Sequence, residues 1–241
     1  AIIATHIYGN PCDIEALDRV AKKHNLKLIY DAAHAFGVKY INTSLINYGN
    51  ISTLSFHATK LFHTAEGGAV ITNDDDLAHK ISYMRNQGHK GEEDFWGLGI
   101  NGKSSKLHAA MGLCILPKVD KLIMKRKEIA EMYDALLLDK ETIKKPVIRE
   151  GTEYNYAYYP IIFKSEKVLL KVKSALNEAK VFPRRYFYPS LNTVKALCSY
   201  LSMPVSESVA KRILCLPSYD ELSFEEIEMI TRIILRNLSY D

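Results

Sequence analysis

The chain has 241 residues, 47% hydrophobic and 25% charged, with 32 basic against 28 acidic side chains and a formal net charge of +4. That length supplies one or two domains with a sizeable core, and 15 Tyr, 8 Phe and abundant Ile, Leu and Val exclude a disordered or low-complexity chain. No window reaches the roughly 18–20 uninterrupted apolar residues of a membrane span, and the nearest approach to a nucleic-acid-type basic run, IMKRKEIAEMY (123–133), reads as a solvated helix face.

In chain order, IIATHIY (2–8) reads as a strand closed by Gly9, Asn10 and Pro11. Asp13 caps a helix to about Asn25, with Ile14, Leu17, Val20 and Ala21 on its inner face. LKLIYD (26–31) is the next strand, so residues 2–31 form a βαβ unit with parallel strands and a right-handed crossover. ISTLSF (51–56) and GAVIT (68–72) are two further strands. Asp74 or Asp75 opens a helix with Leu77, Ile81 and Met84 inward, stopped by Gly88. A long helical pattern runs from Lys106 to Leu138, bent or broken at Pro117. YYPIIF (158–163) is a strand, and residues 166–179 a helix burying Val168, Leu169, Val172 and Leu176. Ser223 and Glu226 form a capping box on a last helix with Phe224, Ile227, Ile230 and Ile234 inward. The reading is an α/β domain with a mostly parallel sheet over 1–118, followed by a smaller α+β domain over 119–241, without internal repeats.

Cys12, Cys114, Cys198 and Cys215 show no CxxC or other short-range pairing, so each is expected to be a small buried hydrophobe in a reducing compartment. The opening AIIATHIYGNP lacks a signal-peptide pattern and enters a strand directly. The chain is therefore expected to start inside a longer fold, and the cytoplasm is the expected address.

In parallel α/β sheets, ligands sit at the carboxyl ends of the strands. The second strand ends at Asp31 and runs into Ala-Ala-His34; the third ends at Ser55 and runs to Lys60, followed by Glu66-Gly67-Gly68. An acid, a hydroxyl and a lysine thus converge on one sheet edge. Pyridoxal phosphate chemistry needs those three groups: an amine to anchor the aldehyde and shuttle a proton, a carboxylate for the pyridine nitrogen, and hydroxyl donors for the phosphate. Taken singly, each residue has an ordinary explanation as a helix cap, a surface lysine or a packed histidine. The order of all of them carries the signal. Gly97-Leu-Gly-Ile-Asn-Gly102 spells the G-x-G-x-x-G dinucleotide fingerprint, but GEEDFW before it is not a buried strand. His57 and His63 flank Lys60 without a third ligand at metal spacing, so no metal is expected.

The string D-A-A-H-A-F-G (31–37), S-F-H-A-T-K (55–60), E-G-G-A (66–69), N-G-K (101–103) and A-A-M-G (109–112) resembles the DegT-type sugar aminotransferases, pyridoxal-phosphate enzymes of fold type I. The resemblance extends from YGNP (8–11) to RRYFYP (184–189) and CLP (215–217). It implies Lys60 as the Schiff-base lysine, Asp31 as the partner of the pyridine nitrogen, His34 (where the family usually has Gln) beside the ring, and Ser55 on the phosphate. It further implies that Asn101 reaches the cofactor phosphate of a neighbouring subunit, hence a homodimer. Lys103 stands where Arg is commoner and retains only a point charge. Ser104, Ser105 and Lys106 replace an expected Met, small residue and acid, and His108 an expected Gln. The family's glycine- and threonine-containing phosphate turn and its ring-stacking aromatic are not in these residues, so the chain is expected to be the C-terminal part of a longer enzyme or a truncated product.

The resemblance implies transfer of an amino group from L-glutamate to a keto-sugar nucleotide, at C4 of dTDP-4-dehydro-6-deoxy-glucose, on a route to O-antigen or related polysaccharide. Amination at C3 is the nearest alternative. A dehydratase of the same fold would carry histidine in place of Lys60, and a catalytically silent scaffold is the reading from outside enzymology.

Overall fold

The structure, a computed structural model, describes residues 1–137 and 142–238. The elements in chain order are β1 (Ile2–Thr5), α1 (Ile14–Lys23), β2 (Leu28–Asp31), β3 (Lys39–Tyr40), β4 (Thr43–Ser44), β5 (Ile51–Ser55), β6 (Gly68–Ile71), α2 (Asp75–Met84), α3 (Lys106–Ile115), α4 (Val119–Leu137), β7 (Ile143–Lys144), β8 (Thr152–Glu153), β9 (Tyr159–Phe163), α5 (Glu166–Glu178), α6 (Pro204–Arg212), β10 (Ile213–Leu216) and α7 (Phe224–Leu238). They divide into two compact units, Ala1–Ile123 with Ile148–Ala157, and Met124–Val147 with Tyr158–Asp241. Among the described residues no helix is long and apolar enough to cross a membrane.

The first unit is built on a sheet of order β1-β2-β5-β6. β1 pairs with β2 in parallel, β2 with β5 in parallel, and β5 with β6 antiparallel. The first strand is shorter than expected. It ends at Thr5 because the backbone turns at Tyr8, whose φ of 58° is left-handed and incompatible with a strand. Asp13 caps α1 by accepting from the Ala16 N–H at 3.0 Å. The helix buries Ile14 and Ala21 on a core of Leu28, Tyr30, Ala32, Val38 and Leu45, with Leu17 packed beside them. Val20, expected inward, is 46% exposed, since α1 meets the sheet along a stripe narrower than the apolar positions. Asp74 caps α2, accepting from Leu77 N–H at 3.1 Å, but none of that helix's residues is buried and Met84 is exposed. A small sheet of order β4-β3-β8 joins Lys39–Tyr40 to the distant Thr152–Glu153.

The long helical stretch is broken as expected: α3 stops at Ile115, a 3₁₀ turn runs through Pro117, and α4 restarts at Val119. Leu138, its expected end, lies outside the described residues. In the second unit an antiparallel sheet of order β10-β9-β7 carries the core. α5 buries Val168, Leu169, Val172 and Leu176, the stripe read from its 3.6-residue period. Ser223 and Glu226 form the reciprocal capping box at 3.2 and 2.9 Å. α7 buries Ile227, Ile230 and Ile234 but leaves Phe224, at its first turn, 49% exposed. Of the cysteines only Cys215 is buried; Cys12 is half-buried, and Cys114 and Cys198 are exposed, against the expectation of four buried hydrophobes. Cys114 follows from α3 itself, an apolar helix with only Gly112 buried.

Candidate active site

Asp31 closes β2 in the interior of the first unit's sheet. Its Oδ1 accepts from the Ala33 N–H at 3.0 Å, and the Ala32 N–H bonds to Thr53 O on β5 at 2.9 Å, so the chain turns sharply at the carboxyl edge. Ala32 and Ala35 are buried at the turn. That brings His34 under the sheet edge, 7% exposed, with its Nδ1 accepting from the Tyr8 N–H at 3.0 Å. A neutral imidazole with Nδ1 so engaged carries its proton on Nε2.

Lys60 lies in the loop between β5 and β6. Because those strands pair antiparallel with Ser55 opposite Gly68, the loop leaves and re-enters the sheet at one point. Three hydrogen bonds close it: Phe56 N–H to Gly67 O at 2.8 Å, Thr64 N–H to Phe56 O at 2.9 Å, and Thr64 Oγ1 to Glu66 O at 2.6 Å. Gly68 is required by this closure, since a Cβ there would come within 2.7 Å of Leu54 O. The loop is anchored to the turn after β2 by aromatic packing. Phe36 stacks on Phe62 at 4.4 Å, and Phe56 meets Phe62 edge-on at 4.9 Å.

Asp31, His34 and Lys60 act on one another electrostatically. Burial holds the His34 imidazolium down to about 4, with the Lys60 charge reinforcing the effect and Asp31 opposing it. Burial also lowers the Lys60 ammonium below its usual range, against the pull of Asp31. The outcome is a neutral imidazole and a lysine that gives up its proton more readily than a surface lysine.

Ser55 is half-buried at the end of β5, two residues beyond the Asp31–Thr53 pair, and its Oγ lies 3.4 Å from the His57 N–H. Asn101 sits elsewhere. It is exposed and bridges to Asn86, in a loop held by Gln87 N–H to Ile100 O at 2.9 Å and Gly102 N–H to Arg85 O at 2.7 Å. Its described contacts lie at the end of α2, apart from Asp31, His34 and Lys60. Of the glycines of the 97–102 pattern, Gly99 is required by this packing, since a Cβ there would collide with the Gly88 amide, and Gly88 is required in turn because a Cβ on it would collide with the Gly97 carbonyl. His57 is exposed, with Nδ1 2.9 Å from Thr59 Oγ1 and Nε2 3.7 Å from Glu66. Among the described residues no three His, Cys, Asp or Glu side chains gather as a metal cluster.

Two residues behind the site were missed by sequence reasoning. His6 is fully buried, stacks on Tyr30 at 4.3 Å and accepts from the Cys12 N–H at Nδ1, 3.0 Å away. Burial holds its imidazolium down to about 4, against the pull of Asp31. Asn155, also fully buried, donates to the carbonyls of His34 and Phe36 at 2.9 Å each. His6 follows a strand and could have been flagged as a buried polar residue; Asn155 in NYAYY carries no local signal.

An α/β sheet with a lysine, a carboxylate and a buried imidazole toward its carboxyl edge is the arrangement that the resemblance to pyridoxal-phosphate aminotransferases of fold type I implies. Comparison with known proteins narrows this: the model of the DegT/DnrJ/EryC1/StrS aminotransferase family matches residues 1–235, and the chain belongs to that family. The family's aminotransferases depend on pyridoxal phosphate. The dTDP-4-amino-4,6-dideoxy-D-glucose transaminase of Shigella dysenteriae is 38% identical over 240 residues, covering 97% of this chain and 65% of that protein. The GDP-perosamine synthase of Escherichia coli O157:H7 is 32% identical over 233 residues, covering 94% and 62%. Among solved structures, DesI in the presence of its TDP-sugar product superposes with a TM-score of 0.92 at 28% identity, covering 99% of this chain and 62% of that one. The chain thus spans less than two thirds of the length of these relatives.

Proposed function

We propose that the chain forms the cofactor-anchoring part of an enzyme that moves an amino group from L-glutamate to a keto-sugar nucleotide, at C4 of dTDP-4-dehydro-6-deoxy-glucose. The observation that carries the anchoring role is the placement of Asp31 at the end of β2, His34 in the turn that follows it and Lys60 in the loop after β5. The residues suit pyridoxal phosphate as a donor set: an amine eased toward its neutral form by burial, a carboxylate on a rigid strand end, and a neutral N–H donor beside them. Bound there, the cofactor would supply an electron sink for carbon acids. Lys60 would anchor it and carry a proton from one carbon to the next. Asp31 would hold the proton on the pyridine nitrogen, a charge-assisted contact made stronger by the partly buried setting. Ser55 would donate its hydroxyl to the phosphate.

The Shigella dysenteriae relative, named for a dTDP-4-amino-4,6-dideoxy-D-glucose product, supports the choice of sugar and of C4. L-Glutamate as donor and O-antigen or polysaccharide synthesis as destination rest on the family resemblance. We read the assembly as a homodimer in which Asn101 reaches the second subunit's phosphate. Exposed apolar side chains flanking that residue in the chain support it: Leu98 is 92% exposed and Ile100 71%, and in the following helix α3 Leu107 and Leu113 are 83% and 74% exposed. A surface that apolar is unusual for a face that meets only water.

Full-length protein mixed with pyridoxal phosphate should develop a visible absorption band that L-glutamate bleaches. Lys60→Ala should abolish both the band and turnover while circular dichroism stays unchanged. A Lys60→Ala protein that keeps the band and the turnover would refute the assignment.

A further inference from the structure

The turn that carries His34 is held from behind by a segment 121 residues away in sequence. Asn155 spends both amide hydrogens there, donating to His34 O and Phe36 O at 2.9 Å each, and its Oδ1 accepts from the Ala157 N–H at 3.1 Å. The neighbouring Tyr154 hydroxyl donates to Tyr8 O at 2.8 Å. Tyr8 occupies a left-handed backbone conformation that a tyrosine adopts only against a steric cost, and in that conformation its N–H meets His34 Nδ1. Gly9 completes the contact, since a Cβ there would come within 2.8 Å of His34 O and 3.1 Å of Asn155 Oδ1. Residues 8–9, 34–36 and 154–155 therefore lock together with no room to spare.

We infer that Asn155 is a positioning residue of the cofactor site: by binding the carbonyls of His34 and Phe36 it keeps His34 in the Nε2–H form, a donor held beside Asp31 and Lys60. This rests on the reading of the site proposed above. The effect has two branches. Through His34 O, Asn155 sets the peptide from which the imidazole projects, so Nδ1 stays on the Tyr8 N–H and the proton stays on Nε2. Through Phe36 O, it sets the ring that stacks on Phe62, and with it the seat of the loop bearing Lys60. Removing the amide would leave two carbonyls in a buried region without these donors, and the turn would rotate to find others.

The test compares wild type with Asn155→Ala and the milder Tyr154→Phe, in the full-length protein labelled with ¹⁵N-histidine. In wild type, His34 should show the Nε2–H form alone. In Asn155→Ala it should show a mixture of both neutral forms, with the signals of His24 and His79 unmoved. Pyridoxal phosphate affinity should fall about tenfold or more, the equivalent of one or two buried hydrogen bonds. Tyr154→Phe should shift His34 in the same direction by less, and it decides the matter if Asn155→Ala fails to fold. A His34 signal unmoved in both folded variants, with wild type binding the cofactor, overturns the inference alone, because a merely structural asparagine would lower stability without touching the imidazole. A wild-type protein that binds no pyridoxal phosphate overturns the reading of the site, and the inference with it.

Discussion

Mild acid should destabilise the first unit through two histidines that fold in the neutral form. His6 is fully buried and His34 is 7% exposed, and burial brings each imidazolium from 6.5 down to about 4. In the unfolded chain both titrate near the ordinary value, so below about pH 6.5 the unfolded state binds protons that the folded state refuses. These groups leave stability unchanged above that pH; the loss begins there, grows as the pH falls toward 4, and levels off below it. With those midpoints each histidine costs about 2 kcal/mol at pH 5, and the pair about 4 kcal/mol, a large share of the ~5–15 kcal/mol typical of a domain. Urea unfolding of the full-length protein at pH 7.5 and 5 measures the total; the lowered carboxylates Asp13 and Glu15 give up their contribution only further down, below their ordinary values. His6→Gln isolates one histidine, because the carboxylates titrate alike in both proteins. The variant should start less stable, having lost the stack on Tyr30, yet lose about 2 kcal/mol less than wild type on going to pH 5. Equal losses in the two proteins would refute the assignment of His6 as a buried neutral group.

Two further substitutions test other parts of the argument. Asn101→Ala in the full-length protein should weaken pyridoxal phosphate by about 10- to 100-fold, the value of one charge-assisted hydrogen bond, while sedimentation still reports a dimer; a fully active monomer would remove both the composite site and this role. Ser223→Ala breaks the capping box of α7, whose two hydrogen bonds span 2.9 and 3.2 Å, and should cost about 1 kcal/mol, lowering Tm by about 2–4 °C in a calorimetric scan. An unchanged Tm would show that the cap contributes nothing.

Features decided by near neighbours in the chain were legible without a structure. The caps at Asp13 and Ser223 depend on a side chain three residues from the amide it accepts from, and the sequence narrows the cap of α2 to Asp74 or Asp75, of which the structure uses Asp74. The buried stripe of α5 depends on a period that the sequence spells out. The break at Pro117 depends on a ring that lacks an N–H. The order of Asp31, His34, Ser55 and Lys60 was equally visible, because parallel strands present their carboxyl ends at one edge and these residues lie at or soon after the ends of β2 and β5.

The tertiary structure decided whatever depends on a partner distant in sequence. Val20 and Phe224 fit the apolar periodicity of their helices yet stay exposed, because the period says which residues share a face and not how wide a stripe the sheet covers. The first strand stops at Thr5 because Tyr8 turns to meet His34, 26 residues on. The small sheet of β3, β4 and β8 and the hold of Asn155 on His34 join segments more than a hundred residues apart. A hydrogen bond across such a separation leaves no periodic trace in the chain, so the sequence could name the residues proposed to carry the chemistry, while Asn155, which holds the His34 turn, emerged only once the chain had folded.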